Sequence, residues 1–365
     1  MGRVYTRPRR GAPFFSTPVL PVSVSPPRFP AARGRRIPFR KASARLRHRW
    51  EGLLGSSVVR ARTQRGGFSP GVAARLQLAD GRRVFLKAVS SEANPEAPEL
   101  YRREARVAAV LPRGVPAPRF LWVDEEPPWV ALAFEEAEGR PPRLPWRRAE
   151  LGRVLSAILR MSRALTPSPL DLPTFAQVHG RAFHNWRGAL RGKGPVRGTD
   201  PLGHWVRDHV PELARLESRC ETASAGPTLL HCDLRADNLL LSPRAVHFVD
   251  WPFACVGAGW VDLALFLPSV AMQGGPAPWE LWDPHPLARS ASPEGVDAVL
   301  AALGGHFLFR GAAPAPPGLP TLRPFQWAQG QQVIRWLRYR WEGVDPARGT
   351  VPPGRFRPSG PSASP

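Results

Sequence analysis

Residues 228–252 read "TLLHCDLRADNLLLSPRAVHFVDWP", from Thr228 to Pro252. His231, Asp233 and Asn238 follow the spacing H-x-D-x-x-x-x-N, and Asp250 stands twelve residues beyond Asn238, closing the apolar run "AVHFVD". The runs "LLL" and "VHFV" have the length and apolar character of two short strands, so the polar residues fall in a loop and at a strand end. A single loop Asp is ordinarily a turn former. Here four residue positions keep fixed spacings around a hairpin. A carboxylate such as Asp233 can orient and deprotonate an attacking hydroxyl, whereas Asn238 and Asp250 offer the hard oxygen ligands that Mg2+ prefers. A hairpin between the last two would bring both to one cation. With a further cation on the phosphates, this is the protein side of phosphoryl transfer.

Upstream, "LLGSSVVRARTQ", "GVAARLQLADG" and "RRVFLKAVS" read as three strands, with "ADG" (Ala79 to Gly81) as a hairpin turn. A helix follows in "PEAPELYRREARVAAVLP", where Leu100, Glu104, Val107, Ala108 and Leu111 recur at helical spacing before Pro112. Two further strands, "PRFLWVD" and "PWVALAFEE", complete a β-β-β-α-β-β order. "AEGRPPRLPW" then reads as a hinge. Beyond it the long helical candidates are "RRAELGRVLSAILRMSRAL", "DPLGHWVRDHVPELARLESRC", "PEGVDAVLAALGGHFLFR" and "TLRPFQWAQGQQVIRWLRYRW".

In these residues the chain resembles the aminoglycoside phosphotransferase-like branch of the protein kinase superfamily, which includes choline, homoserine and fructosamine kinases. That family's segment runs approximately H-G-D-x-x-x-x-N, then a strand ending in Asp. This chain departs from it at Cys232, which replaces the glycine, and Trp251 follows the strand-end Asp. The resemblance implies an α+β, bilobal protein kinase-like fold. Residues 46–135 would form a small lobe of five antiparallel strands and one helix, and residues 136–348 a larger, mostly helical lobe. The resemblance also implies roles. Asp233 would be the catalytic base, and Asn238 and Asp250 the Mg2+ ligands. Lys87 matches the phosphate-binding lysine. Its expected partner is Glu104, which shares the inward stripe of its helix, with Glu99 as the competitor. Gly66, Gly67 and Ser69 stand where backbone amides and a hydroxyl would approach phosphate. Phe134, Glu135 and Ala137 would face adenine. His231 and Asp262 are expected to support the loop rather than react. The implied cofactors are ATP or GTP with Mg2+, and the partner is a small molecule bearing a hydroxyl: an aminoglycoside, sugar, amino alcohol or similar metabolite. Beyond Asp250 carboxylates are few and tryptophans many (Trp251, Trp260, Trp279, Trp282, Trp327, Trp336, Trp341), which argues against an acceptor that must be a polycation.

Composition narrows the remaining choices. The chain has 365 residues, 43% of them hydrophobic, enough for two lobes with a core. Residues 1–50 hold 13 Lys and Arg, no Asp or Glu and eight prolines, so only +9 of the formal net charge of +22 belongs to the other 315 residues. Residues 1–45 are therefore expected to be a disordered basic tail, and 349–365 a second one. A basic arm can touch nucleic acid weakly, which leaves a nucleic-acid-binding protein as one alternative and a nucleotide-binding pseudokinase as another. The apolar run "VDLALFLPSVAM" is too short to span a bilayer. Cys220, Cys232 and Cys255 have no paired spacing, which fits a reducing, cytoplasmic setting rather than a disulfide framework.

Overall fold

The computed structural model describes residues 29–68, 70–192 and 201–343. Most of the basic tail, Ser69 and the C-terminal tail lie outside the described residues.

The small lobe is a sheet of β1 (Arg36–Ile37), β2 (Val58–Thr63), β3 (Gly71–Leu78), β4 (Arg83–Ser90), β5 (Phe120–Glu126) and β6 (Trp129–Glu135). Its order is β1-β3-β4-β6-β5, with β2 on the same edge of β3 as β1. The five expected strands are antiparallel to their neighbours, and Gly81 (φ 87°) makes the expected β3–β4 turn. Two features correct the expectation. β1 is a sixth strand and pairs parallel to β3, Arg36 opposite Gly71. A helix, α1 (Ala44–Leu54), precedes β2 and takes Leu53 and Leu54 from the strand expected there. Residues 29–45 are thus part of the lobe and not of a tail. The averaged basic, proline-rich composition hides a short pattern: Phe39, Ala42, Leu46, Trp50 and Leu54 recur at three- or four-residue steps and are all buried. Ser43 caps α1 by accepting from the Leu46 N–H at 3.3 Å, and Gly55 ends it at φ 68°. The segment before α1 also ties the lobes together. Gly67 N–H donates to the Ala32 carbonyl at 3.1 Å and Gly71 N–H to Arg35 at 3.0 Å, while Arg35 N–H reaches the Gly318 carbonyl of the other lobe at 2.9 Å.

The second helix of the small lobe, α2 (Ala97–Ala108), buries Glu104 and packs Tyr101 and Ala105 against β4 and β6, whereas its buried Val107 joins the core cluster of the helical lobe. Across the hinge, Gly139 (φ 125°) lies so close to the chain that an added Cβ would stand 2.8 Å from the Leu241 backbone. The helical lobe comprises α3 (Arg148–Ala164), α4 (Phe175–His179), α5 (Asn185–Ala189), α6 (Pro201–Asp208), α7 (Val210–Glu217), α8 (Cys220–Ala223), α9 (Val261–Met272), α10 (Pro278–Trp282), α11 (Pro293–Gly311) and α12 (Leu322–Glu342). The candidate "DPLGHWVRDHVPELARLESRC" is split at His209, ahead of Pro211. The run "VDLALFLPSVAM" is α9, buried almost throughout at the centre of the lobe. No helix among the described residues is long and apolar enough to cross a membrane. Trp251, Trp260, Trp282 and Trp336 are buried and pack the core of the lobe, and Trp251 and Trp260 also contribute to pocket walls.

The opening stretch supplies β7 (Thr228–Leu230), then a loop and a 3-10 turn (Ala236–Asn238), then β8 (Leu239–Leu241) and β9 (Val246–Phe248) as the expected hairpin. β10 (Cys255–Gly257) runs antiparallel to β7.

Candidate active site

Asp262, at the start of α9, holds the loop from beneath. Its carboxylate accepts the backbone N–H of His231 and of Cys232, each at 2.8 Å. Burial pushes its pKa up to about 6, against the pull of those two bonds. His231 is fully buried. Its Nδ1 accepts the Asp233 N–H at 3.2 Å, which leaves the proton on Nε2, 3.0 Å from the Val249 carbonyl. The ring therefore braces the loop against the strand that ends in Asp250, as expected. Burial lowers its pKa to about 4, so it stays neutral.

The glycine that the family pattern calls for is explained by the backbone. Cys232 sits at φ 61° and Asp250 at φ 72°, in the left-handed region. Such conformations cost on the order of 1–3 kcal/mol in a non-glycine residue and persist only where neighbours hold them. Asp262 does so at Cys232. The Cys232 side chain faces Cys255, Sγ to Sγ 3.2 Å.

Two charge clusters meet below the small lobe's sheet. Lys87, on β4, forms ion pairs with both Glu104 and Asp250 and lies 4.8 Å from the Tyr101 ring centroid. Glu99 is exposed and bonds Arg106 at 2.9 Å, so Glu104 is the partner, as its place on the helix implied. Burial disfavours the Lys87 ammonium, but Asp250 and Glu104 outweigh it and hold it protonated. Burial raises Glu104 to about 8, only partly opposed by Lys87. At Asp250 burial is overcome by Lys87, and the pKa falls to about 2. The second cluster centres on Arg235, which pairs with Asp233 and, at 3.0 Å, with Asp237. Its guanidinium packs 5.4 Å from the Phe68 ring centroid and 5.9 Å from that of Phe325. Burial raises Asp233 to about 7 although Arg235 pulls it down.

Asn238 joins the clusters. Its amide nitrogen donates to the Asp233 carbonyl at 2.8 Å and to the Asp233 carboxylate at 3.0 Å. The amide oxygen is then the atom left for a cation. Four carboxylates share two cationic side chains here, and Asp250, which Lys87 holds ionised, stands beside further hard oxygen donors. That donor set and charge fit Mg2+.

Between the lobes lies a cleft of about 320 Å³. Gly66, Gly67, Lys87, Glu104, Phe134, Glu135, Ala137, Asn238 and Asp250 all line it. Asp233 and His231, in the loop, and Asp262, at the start of α9, are not among its lining residues, and Ser69 lies outside the described residues. Sequence reasoning missed two residues. Arg235 could have been found as the only Lys or Arg between His231 and Asn238. Arg36 also lines the cleft and donates to the Gly66 carbonyl, but it lies in the segment taken for a tail.

The fold is similar to a thermostable mutant of aminoglycoside phosphotransferase APH(4)-Ia in ternary complex with ADP and hygromycin B, with a TM-score of 0.54, 17% identity and coverage of 80% of this chain and 98% of that one. A second such mutant, with AMP-PNP and hygromycin B, gives a TM-score of 0.53 at 16% identity, covering 80% of this chain and 98% of the other. At these identities the likeness concerns the fold alone. Among curated proteins, acyl-CoA dehydrogenase family member 10 of Mus musculus is 24% identical over 217 residues, 53% of this chain but only 19% of that protein's length. The profile of the phosphotransferase enzyme family matches residues 64–284, from the segment after β2 through the loop after β7 to just past α10, and the chain belongs to that family.

Proposed function

We propose that the protein transfers the γ-phosphoryl group of ATP or GTP to a hydroxyl of a small molecule. The observation that carries this reading is the joining of the two lobes at one point: Lys87 bridges Glu104 and Asp250, and Asn238 ties Asp233 into the same cluster. Asn238 and Asp250 would hold Mg2+, which supplies charge neutralisation on the phosphates when bound. Lys87, fixed by Glu104, orients the phosphates. Asp233 accepts the proton of the acceptor hydroxyl as its oxygen bonds to phosphorus and the nucleoside diphosphate leaves. With a pKa near the working pH, Asp233 suits that exchange. Arg235, touching the same carboxylate, lies where negative charge moves during transfer. A polycationic aminoglycoside is the less favoured acceptor. Beyond Asp250 the chain has only seven carboxylates, and one of them, Asp262, is buried beneath the loop.

A panel of sugars, amino alcohols, aminoglycosides and hydroxy acids, read by nucleotide consumption, tests the proposal. At least one acceptor should be turned over, and Asp233→Asn should abolish that turnover while nucleotide binding survives. Mg·nucleotide binding without turnover across the panel would favour a binding protein instead. Wild-type turnover in Asp233→Asn would sink the role given to Asp233.

A further inference from the structure

His179, Cys232 and Cys255 come from three separate elements: the end of α4, the loop after β7 and the start of β10. The pairing of β7 with β10 sets Cys255 beside the loop, and a bridge between Thr174, which caps α4, and Val256 brings His179 there. One imidazole nitrogen and the two sulfurs lie within 4.8 Å of one another, the sulfurs 3.2 Å apart. Ligand atoms of one tetrahedral zinc stand roughly 3.5–4 Å apart, so side-chain shifts below about 1 Å would close the triangle. His179 Nε2 is buried and has no hydrogen-bond partner among the described residues. The ring is also held neutral, as a ligand must be, because burial lowers its pKa to about 4.

We propose that His179, Cys232 and Cys255 form a thiophilic metal site, suited to zinc, beneath the catalytic loop. The set is one nitrogen and two sulfurs, which excludes Mg2+ and selects a soft or borderline cation. Binding turns both thiols into thiolates and releases two protons. Two negative charges and a neutral imidazole then meet a dication, so the buried site carries no net charge. Three protein ligands leave a fourth position to water. The ion pins Cys232, the residue before Asp233, in its left-handed conformation and ties the loop to β10 and α4.

Reduced full-length protein, dialysed with zinc and then against a zinc-free buffer, should retain about one zinc per chain by mass spectrometry. Cobalt(II) should give sulfur-to-cobalt charge-transfer absorption. Cys255→Ser and His179→Ala should each weaken retention more than about tenfold. Asp250→Ala should leave the cobalt spectrum intact, because that residue belongs to the nucleotide site. Zinc should raise the melting temperature of the wild type and not of Cys255→Ser. Equal retention by wild type and the two ligand variants would overturn the proposal, as would loss of the cobalt spectrum in Asp250→Ala. Should the variants fail to fold, the wild-type cobalt spectrum decides: without sulfur-to-cobalt charge transfer there is no such site.

Discussion

Replacing Arg235 with Met keeps a long, unbranched side chain between Phe68 and Phe325 and removes the charge between Asp233 and Asp237. The structure sets the size of the effect. Asp233 is buried and raised to about 7 even with Arg235 in contact, and Asp237 and Asp250 act in the same direction as burial. An adjacent opposite charge ordinarily lowers a carboxyl pKa by about 1–3 units, so its loss should move Asp233 to about 8 or higher. At pH 7 the ionised fraction should fall from about one half to about one tenth or less, roughly a fivefold loss of available base. The assay needs no acceptor. Carbon-13 NMR of labelled aspartate follows the Asp233 carboxyl directly, and slow nucleotide hydrolysis by water gives the acid limb of the pH–rate profile. The part of the rate deficit that high pH restores reports the proton on Asp233, and the rest reports charge stabilisation by Arg235. An Asp233 pKa that moves by less than about half a unit would refute the reasoning, because the guanidinium would then not be what balances burial.

Four further expectations follow from the same geometry. Asp250→Ala should abolish metal-dependent nucleotide binding, measured by calorimetry with and without Mg2+; affinity that remains Mg2+-dependent would move the metal elsewhere. Asp262→Ala strands the buried N–H groups of His231 and Cys232, at about 1–3 kcal/mol each, so urea unfolding should show a loss of roughly 2–6 kcal/mol, and a negligible loss would mean that the loop is held by other contacts. Arg36→Ala should weaken nucleotide binding about three- to tenfold through the loosened Gly66 carbonyl, with the Asp233 titration unmoved; an unchanged affinity would make Arg36 irrelevant to the cleft. Stability should fall as pH rises from about 6.5 to 8. Glu104 and Asp233, at about 8 and about 7 in the folded state, lie above their unfolded values, so the folded protein binds more protons in that window. Below it His179, His231 and His306, each depressed to about 4, act in the opposite sense, and stability that climbs from pH 6.5 to 8 would contradict the carboxyl assignments.

What the chain encodes locally was legible in it. The H-x-D-x-x-x-x-N spacing and the hairpin to Asp250 are set within 25 residues, and the stripe that turns Glu104 inward is a helical period. Hydrophobic periodicity and turn chemistry act over such distances, so the order of the central strands and the long helices can be read from the string, whereas the roles given to the cleft's residues came from the family resemblance. The structured segment at 29–45 was hidden because composition averages over what a period would reveal. Other features required the folded chain. Lys87 and Asp250 meet across 163 positions, and nothing local says that one ammonium will serve two carboxylates. The left-handed turn at Cys232 is decided by Asp262, which reaches back from α9 to hold it. His179, Cys232 and Cys255 have no spacing that joins them; they meet because β10 pairs with β7 and α4 is bridged to β10. Contacts between residues far apart in sequence are chosen by which packing buries the core, and only the folded structure carries that choice.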